Sequence, residues 1–282
     1  MCPKSILEVF GKSTKNFIKL KNPNKELCPF IEQKCNKLSR LITYPMGVCS
    51  VKINSENKNI KTERVITCPQ RFKENNNIFN DVKKFIFNDE ECFIINEVKQ
   101  KMIGSFDYIQ FTKSDKKEEV KDYAIIEIQS DSTTKTGSLV QNLKDIIDTK
   151  ENKKNYDFGM NTYNTIKLSF IQMIKKGQFA EENNRNIIWA MQHYVFDNMS
   201  ERFSFSDDTI SDFDIEKKIH FFLYDLIEDK EKNFKLTLVS KYSTTNDKLN
   251  FAFMKKNNLN ESKMLNLLNK KNKLESLKIL KI

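Results

Sequence analysis

Histidine is almost missing: the 282 residues include two, His193 and His220. Two isolated histidines argue against a His-based metal centre or a His-centred triad, and for core or surface roles. Arginine is nearly as scarce, five of the 48 basic residues, so Arg64, Arg71, Arg185 and Arg202 stand out as candidates for guanine contacts. Of these, Arg71 sits beside the cysteine cluster and reads as support for it. No apolar run approaches the roughly 20 residues that cross a bilayer. The opening Met-Cys-Pro-Lys-Ser-Ile-Leu-Glu places an acid where a secretory signal needs its apolar stretch. These absences point to a soluble, cytoplasmic protein. Neither an internal repeat nor a long linker is visible.

What is present suffices for a core. Hydrophobic residues make up 39% and include 22 phenylalanines, which excludes a wholly disordered chain. The net charge of +10 suits a polyanion, nucleic acid first and an acidic membrane surface second. Abundant Lys, Asn, Ile and Phe are equally what an AT-rich coding sequence produces, so charge alone leaves both readings open.

The texture changes along the chain. Residues 1–76 contain four clustered cysteines and few periodic segments, which suits a small module held by a metal rather than by a core. Residues 77–255 are rich in phenylalanine and strongly patterned. Helices are expected at Phe79–Phe87, around Leu139–Ile147 and Ile166–Ile174, and across Ile187, Ile188, Met191 and Val195. Strands are expected at Phe106–Thr112, Tyr123–Gln129, Ile219–Leu226 and Phe234–Val239, with the polar Lys113–Asp122 connecting the first two. Cys92 reads as core. Residues 256–282 set Leu259, Met264, Leu265, Leu267 and Leu268 among lysines, a basic amphipathic helix. The whole indicates a mixed α/β protein.

Cys28, Cys35, Cys49 and Cys68 fall within 41 residues, without any CxxC pair. Four thiolates suit a tetrahedral iron or zinc ion, because anionic sulfur offsets the cation's lost hydration. The competing reading is four buried thiols acting as small hydrophobes. Prolines after Cys28 and Cys68, and Gly47 two residues before Cys49, favour ligands, since turns position donors better than they fill a core.

In Tyr123-Ala-Ile-Ile-Glu127-Ile-Gln129, alternation puts Glu127 and Gln129 on one face. A carboxylate in so apolar a strand requires a cation or a partner. Asp107 on the preceding strand and Glu97 upstream could converge with it on Mg²⁺. Pairing of Glu127 with a lysine at a sheet edge explains the residues equally well.

Cys28-Pro-Phe, Cys35, Gly47-Val48-Cys49 and Cys68-Pro69-x-Arg71 resemble the metal-binding segment of the NotI-like type II restriction endonucleases. Phe106-Asp107-Tyr108 with Ile126-Glu127-Ile128-Gln129 is similar to that family's catalytic strands, and Asn164–Met173 to the helix that follows. The blocks occur in the family's order over about residues 28–200. The resemblance implies a PD-(D/E)XK nuclease core, a mixed β-sheet flanked by helices, with Gln in place of the usual Lys. It implies a homodimer cutting palindromic double-stranded DNA with Mg²⁺, and a structural iron or zinc on the four cysteines. A cognate DNA methyltransferase in the same system is implied too, without direct contact. Asp107 and Glu127 would bind Mg²⁺, Gln129 would replace the lysine, and Glu97 would assist; Asp131 is a further acid after the motif. The part after about Glu201 matches poorly. Two rivals stand beside this reading: a non-catalytic DNA-binding protein with a structural metal, and a repair or mobile-element nuclease of the same fold.

Overall fold

The structure, a computed structural model, describes residues 4–16, 22–53, 64–114, 119–149, 156–254 and 261–272. Its centre is a seven-stranded mixed sheet. Strands β4 (Phe93–Gln100), β5 (Gly104–Lys113) and β6 (Val120–Gln129) form an antiparallel meander. Next to β6, β7 (Asn186–Gln192) and β8 (Ile219–Glu228) run parallel to it, and β9 (Phe234–Thr244) returns antiparallel, followed by the short edge strand Ser211–Asp212. A smaller sheet contains β1 (Ser5–Val9), β2 (Val48–Lys52) and β3 (Arg64–Ile66).

Alternation along the central strands builds two cores. Ile125, Ile187, Trp189, Phe221 and Leu223 face one side, with Leu139 and Leu143 of α2 (Thr136–Thr149), Phe170 and Met173 of α3 (Thr162–Glu182), and Val195 of α4 (His193–Phe203). Ala124, Ile126, Ile188, Phe222 and Tyr224 face the other, against Phe72 and against Ile78 and Val82 of α1 (Asn77–Ile86).

Several expectations change. Ile187–Met191 is a strand, and only at His193 does helix α4 begin. The unbroken apolar run fits a parallel strand covered on both faces, which shows no alternation. The cysteine-bearing segment does have a core: Ile6, Val9, Phe10, Val48, Val51 and Val65 are buried in the same cluster as α2 and the sheet. Cys92 is half-buried at the start of edge strand β4, whose Phe93, Ile94 and Ile95 are exposed. Beyond α5 (Asn246–Met254), α6 (Glu261–Asn272) exposes Met264, Leu265, Leu267 and Leu268. Leu259, residues 273–282 and residues 115–118 of the expected connection Lys113–Asp122 lie outside the described residues.

Candidate active site

The three sequence-predicted acids lie on neighbouring strands. Pairing of β4 with β5 passes from Asn96↔Tyr108 to Val98↔Phe106, which leaves Glu97 and Asp107 opposite each other. Glu97 has φ +53°, a left-handed conformation uncommon outside glycine, and such strained residues cluster at functional sites. Between β5 and β6 the last pair at this end is Tyr108↔Ile126. Beyond it, the carboxylate of Asp107 accepts the Ile128 N–H at 2.9 Å, and the Asp107 N–H donates to the carboxylate of Glu127.

Asp107, Glu97 and Asn96 line a cleft of about 550 Å³, and its facing wall comes from the cysteine-bearing segment: Phe30, Gln33, Asn36, Gln70 and Lys73. Glu127 lies beyond that lining. It is 3% exposed and accepts from Lys176 Nζ of α3 at 2.7 Å. Burial raises its carboxyl to about 7, against the pull of Lys176 and with a smaller push from Asp107. The lysine partner considered from sequence therefore exists, but in the sheet interior between β5 and β7.

Glu127 and Gln129 on β6 and Asp131 two residues past its end follow one another at alternate positions, and α3 serves all three. Lys176 holds Glu127. The Ser169 hydroxyl donates to Gln129 Oε1, while Gln129 Nε2 donates to the Ser130 carbonyl at 2.8 Å. Asp131, 1% exposed, accepts from Thr162 at 2.6 Å, Thr165 at 2.9 Å and the Ser132 N–H at 2.7 Å. Asp131 is thus satisfied by hydroxyls and the backbone, which fits an anchor for the start of α3. Sequence reading missed Lys176. The available signal was its place on the buried stripe of α3, three residues after Met173, where an apolar residue is expected.

The four cysteines, all free thiols, line one small cavity of about 10 Å³, the scale of a single ion or water. Burial raises the thiols of Cys28, Cys49 and Cys68. The Gly11 N–H donates to Cys49 Sγ at 3.4 Å, and the positive charge of Lys37 acts on Cys68, Cys49 and Cys35. Gly47 has φ +60° and a Cβ there would lie 2.6 Å from the Phe10 ring, so only glycine makes this turn. The donor set and its enclosure fit a thiolate-bound ion. As placed, however, no three His, Cys, Asp or Glu side chains among the described residues come close enough to hold one, here or at the acids. Ile31, Asn36 and Gln70 line both this cavity and the cleft, so the thiol site backs directly onto the acids.

The four candidate arginines are engaged within the protein. Arg71 is buried against Glu8, Arg64 pairs with Glu228, Arg185 pairs with Asp122 over the Tyr123 ring, and Arg202 lies over Tyr163. Burial removes Arg71 from the guanine-reading candidates. His220 is buried between Ser243 and Asn186, and His193 contacts Asp197 and Asp225.

Among protein families, the chain matches the restriction endonuclease NotI family over residues 9–236. The chain belongs to the NotI restriction endonuclease family. The matched region runs from the end of β1 into β9 and contains the four cysteines, the cleft wall and all the acids. It extends further in both directions than the motifs suggested, and leaves out α5 and α6. No curated protein matches the chain. As a NotI-family member it is a site-specific DNA nuclease. No helix among the described residues is long and apolar enough to cross a membrane.

Proposed function

We propose that this NotI-family endonuclease makes Mg²⁺-dependent double-strand cuts at a palindromic DNA site, acting as a cytoplasmic homodimer alongside a cognate DNA methyltransferase. The observation that carries the reading is the contact of Asp107 with Glu127 where the β5–β6 pairing ends, beside a cleft that Glu97 also lines. Asp107 and Glu127, with the Ile128 carbonyl, are the groups that would hold Mg²⁺; bound there, the ion would neutralise phosphate charge and acidify water. Glu97, across from Asp107, adds negative charge at the cleft mouth and assists the pair. Gln129 has no charge to offer a phosphate. Its carboxamide, engaged by Ser169 and the Ser130 carbonyl, keeps a fixed plane along the strand and orients water through that plane. Lys73, on the opposite wall, supplies a cation that can meet a phosphate oxygen.

Cys28, Cys35, Cys49 and Cys68 are the groups that would hold a structural iron or zinc ion. Residues 1–76 form that metal-binding part, 77–255 the nuclease part, and 256–282 a basic tail that contains α6. The test is digestion of methylation-free plasmid and phage DNA with Mg²⁺, followed by sequencing of the fragment ends. Defined ends at one symmetric sequence are expected. Sequence-specific binding without cutting in Mg²⁺ or Mn²⁺ would replace this reading with a non-catalytic DNA-binding one.

A further inference from the structure

Backbone pairing ceases at the point where the two acids need a fixed separation. The β5–β6 ladder stops at Tyr108↔Ile126, so Asp107 and Glu127 lie just past its end. Lys176 bridges the strands there: its Nζ donates to the Ser105 carbonyl of β5 at 2.8 Å and to Glu127 Oε1 of β6 at 2.7 Å. Both strands flanking Asp107 and Glu127 are thus tied to one ammonium group on α3.

That ammonium group is itself tightly held. Its side chain is 5% exposed and lies near the rings of Phe106 and Trp189, 5.5 and 6.0 Å from their centroids. The next residue, Gly177, brings α3 against β8 so closely that a Cβ would stand 2.6 Å from Ile219. Ser169 on Gln129 and Thr165 on Asp131 fix the register of α3 along β6. Among the described residues no other basic side chain pairs with Asp107 or Glu127. The strand position that Gln129 fills carries no charge.

We propose that Lys176 is a positioning residue for the metal-binding acids: by clamping Ser105 and Glu127 it sets the separation of Asp107 and Glu127, and from α3 it supplies the fixed cation that β6 lacks. The inference rests on the Mg²⁺-nuclease reading above. A carboxylate offers about four lone-pair sites, so the bonds Glu127 accepts from Lys176 Nζ and the Asp107 N–H leave sites for a metal, and clamp and ligand roles are compatible. Partners that orient a metal ligand from behind matter about 10–100-fold for metal affinity or activity.

The experiment compares full-length wild type, Lys176→Met, Lys176→Arg and, as a control on the exposed side of α3, Lys175→Met. Three quantities are measured: single-turnover cleavage against Mg²⁺ concentration, Mn²⁺ binding by calorimetry without DNA, and melting temperature. Lys176→Met is expected to move Mg²⁺ half-saturation upward, weaken Mn²⁺ binding and slow cleavage at saturating Mg²⁺, each by about tenfold or more. Lys176→Arg should recover most of all three, and Lys175→Met should match wild type. A lysine that only fills the core would lower the melting temperature and leave Mg²⁺ half-saturation unchanged; that result overturns the inference. If Lys176→Met does not fold, Lys176→Gln removes the charge while keeping a donor, and the same criteria apply to it. Wild type that neither cuts nor takes up Mn²⁺ overturns the nuclease reading and this inference together. Wild type that does both, with an indistinguishable Met variant, overturns the inference alone.

Discussion

Arg71 and Glu8 form an ion pair in which each side chain is about 1% exposed, with Arg71 Nε 3.1 Å from Glu8 Oε1. Ser50 donates to the other carboxylate oxygen at 2.6 Å, and Arg71 also reaches Glu74 and the Phe234 carbonyl. The pair joins β1 and β2 to the segment after Cys68 and to β9, and so fixes the cleft's cysteine-bearing wall to the sheet. Arg71→Ala would leave Glu8 buried without its counter-charge, and broken buried pairs cost about 3–5 kcal/mol. Urea denaturation should show a loss of that size, whereas an unchanged midpoint would mean the pair contributes nothing net.

His220 gives the protein a built-in acid sensitivity. The Asp214 N–H donates to Ser243 Oγ at 2.9 Å, which leaves the serine proton for His220 Nδ1, and Nε2–H then donates to Asn186 at 3.0 Å. The ring is held neutral. Burial first, then Lys218, pushes its pKa down to about 3 from 6.5. Between those values the unfolded chain binds the proton and the folded chain does not, so stability is full above pH 6.5 and falls as pH drops toward 3. The contribution is about 1.4 kcal/mol per pH unit. The difference in unfolding free energy between wild type and His220→Gln should therefore change with pH below 6.5; parallel curves would rule the sensitivity out.

The metal expectation has an elemental readout. About one iron or zinc per chain is expected from reducing, chelator-free preparation, since thiolates bound to a structural ion stay deprotonated despite burial. Cys49→Ser should release it. Because Val48, Val51 and Phe10 give this segment a shared core, the variant should stay folded at lower stability. Wild type without stoichiometric metal would leave four free thiols, of which Cys28, Cys49 and Cys68 are buried.

The legible parts of the sequence were those with a clean period or a rare residue. Glu127 and Gln129 were readable on one face of β6, and the four cysteines as one cluster, because alternation and thiol spacing survive in any packing context. The strand Ile187–Met191 read as a helix because burial on both faces erases alternation. Edge strand β4 was not legible because Phe93, Ile94 and Ile95 are consecutive rather than alternating, and all three are exposed. Lys176 was masked by its type: a lysine in a helix reads as a solvated residue, although its place on the apolar stripe of α3 marked it as buried.

The catalytic prediction concerns the acids themselves. Asp107→Asn and Glu127→Gln should each abolish Mg²⁺-dependent cleavage, seen in single turnover, while specific DNA binding persists in a gel shift. Asp107→Asn keeps an acceptor for the Ile128 N–H and so preserves the strand ends, but it removes a charge from the cleft. Glu127→Gln keeps an oxygen for Lys176 while removing the anion beside Asp107. Neither change deletes volume, but Glu127→Gln leaves buried Lys176 without its counter-charge and should lower stability, so the melting temperature of each variant is measured alongside. Affinity for DNA should hold or rise, because one fewer carboxylate repels the phosphates. Cleavage should fall by several orders of magnitude, since on the proposed reading Asp107 and Glu127 are the charged groups that would hold Mg²⁺ and Gln129 cannot replace them. Glu97→Gln, at the cleft mouth and outside the Asp107–Glu127 contact, should slow cutting without abolishing it. Near wild-type cutting by either the Asp107 or the Glu127 variant would mean that the reaction centre lies elsewhere in the cleft.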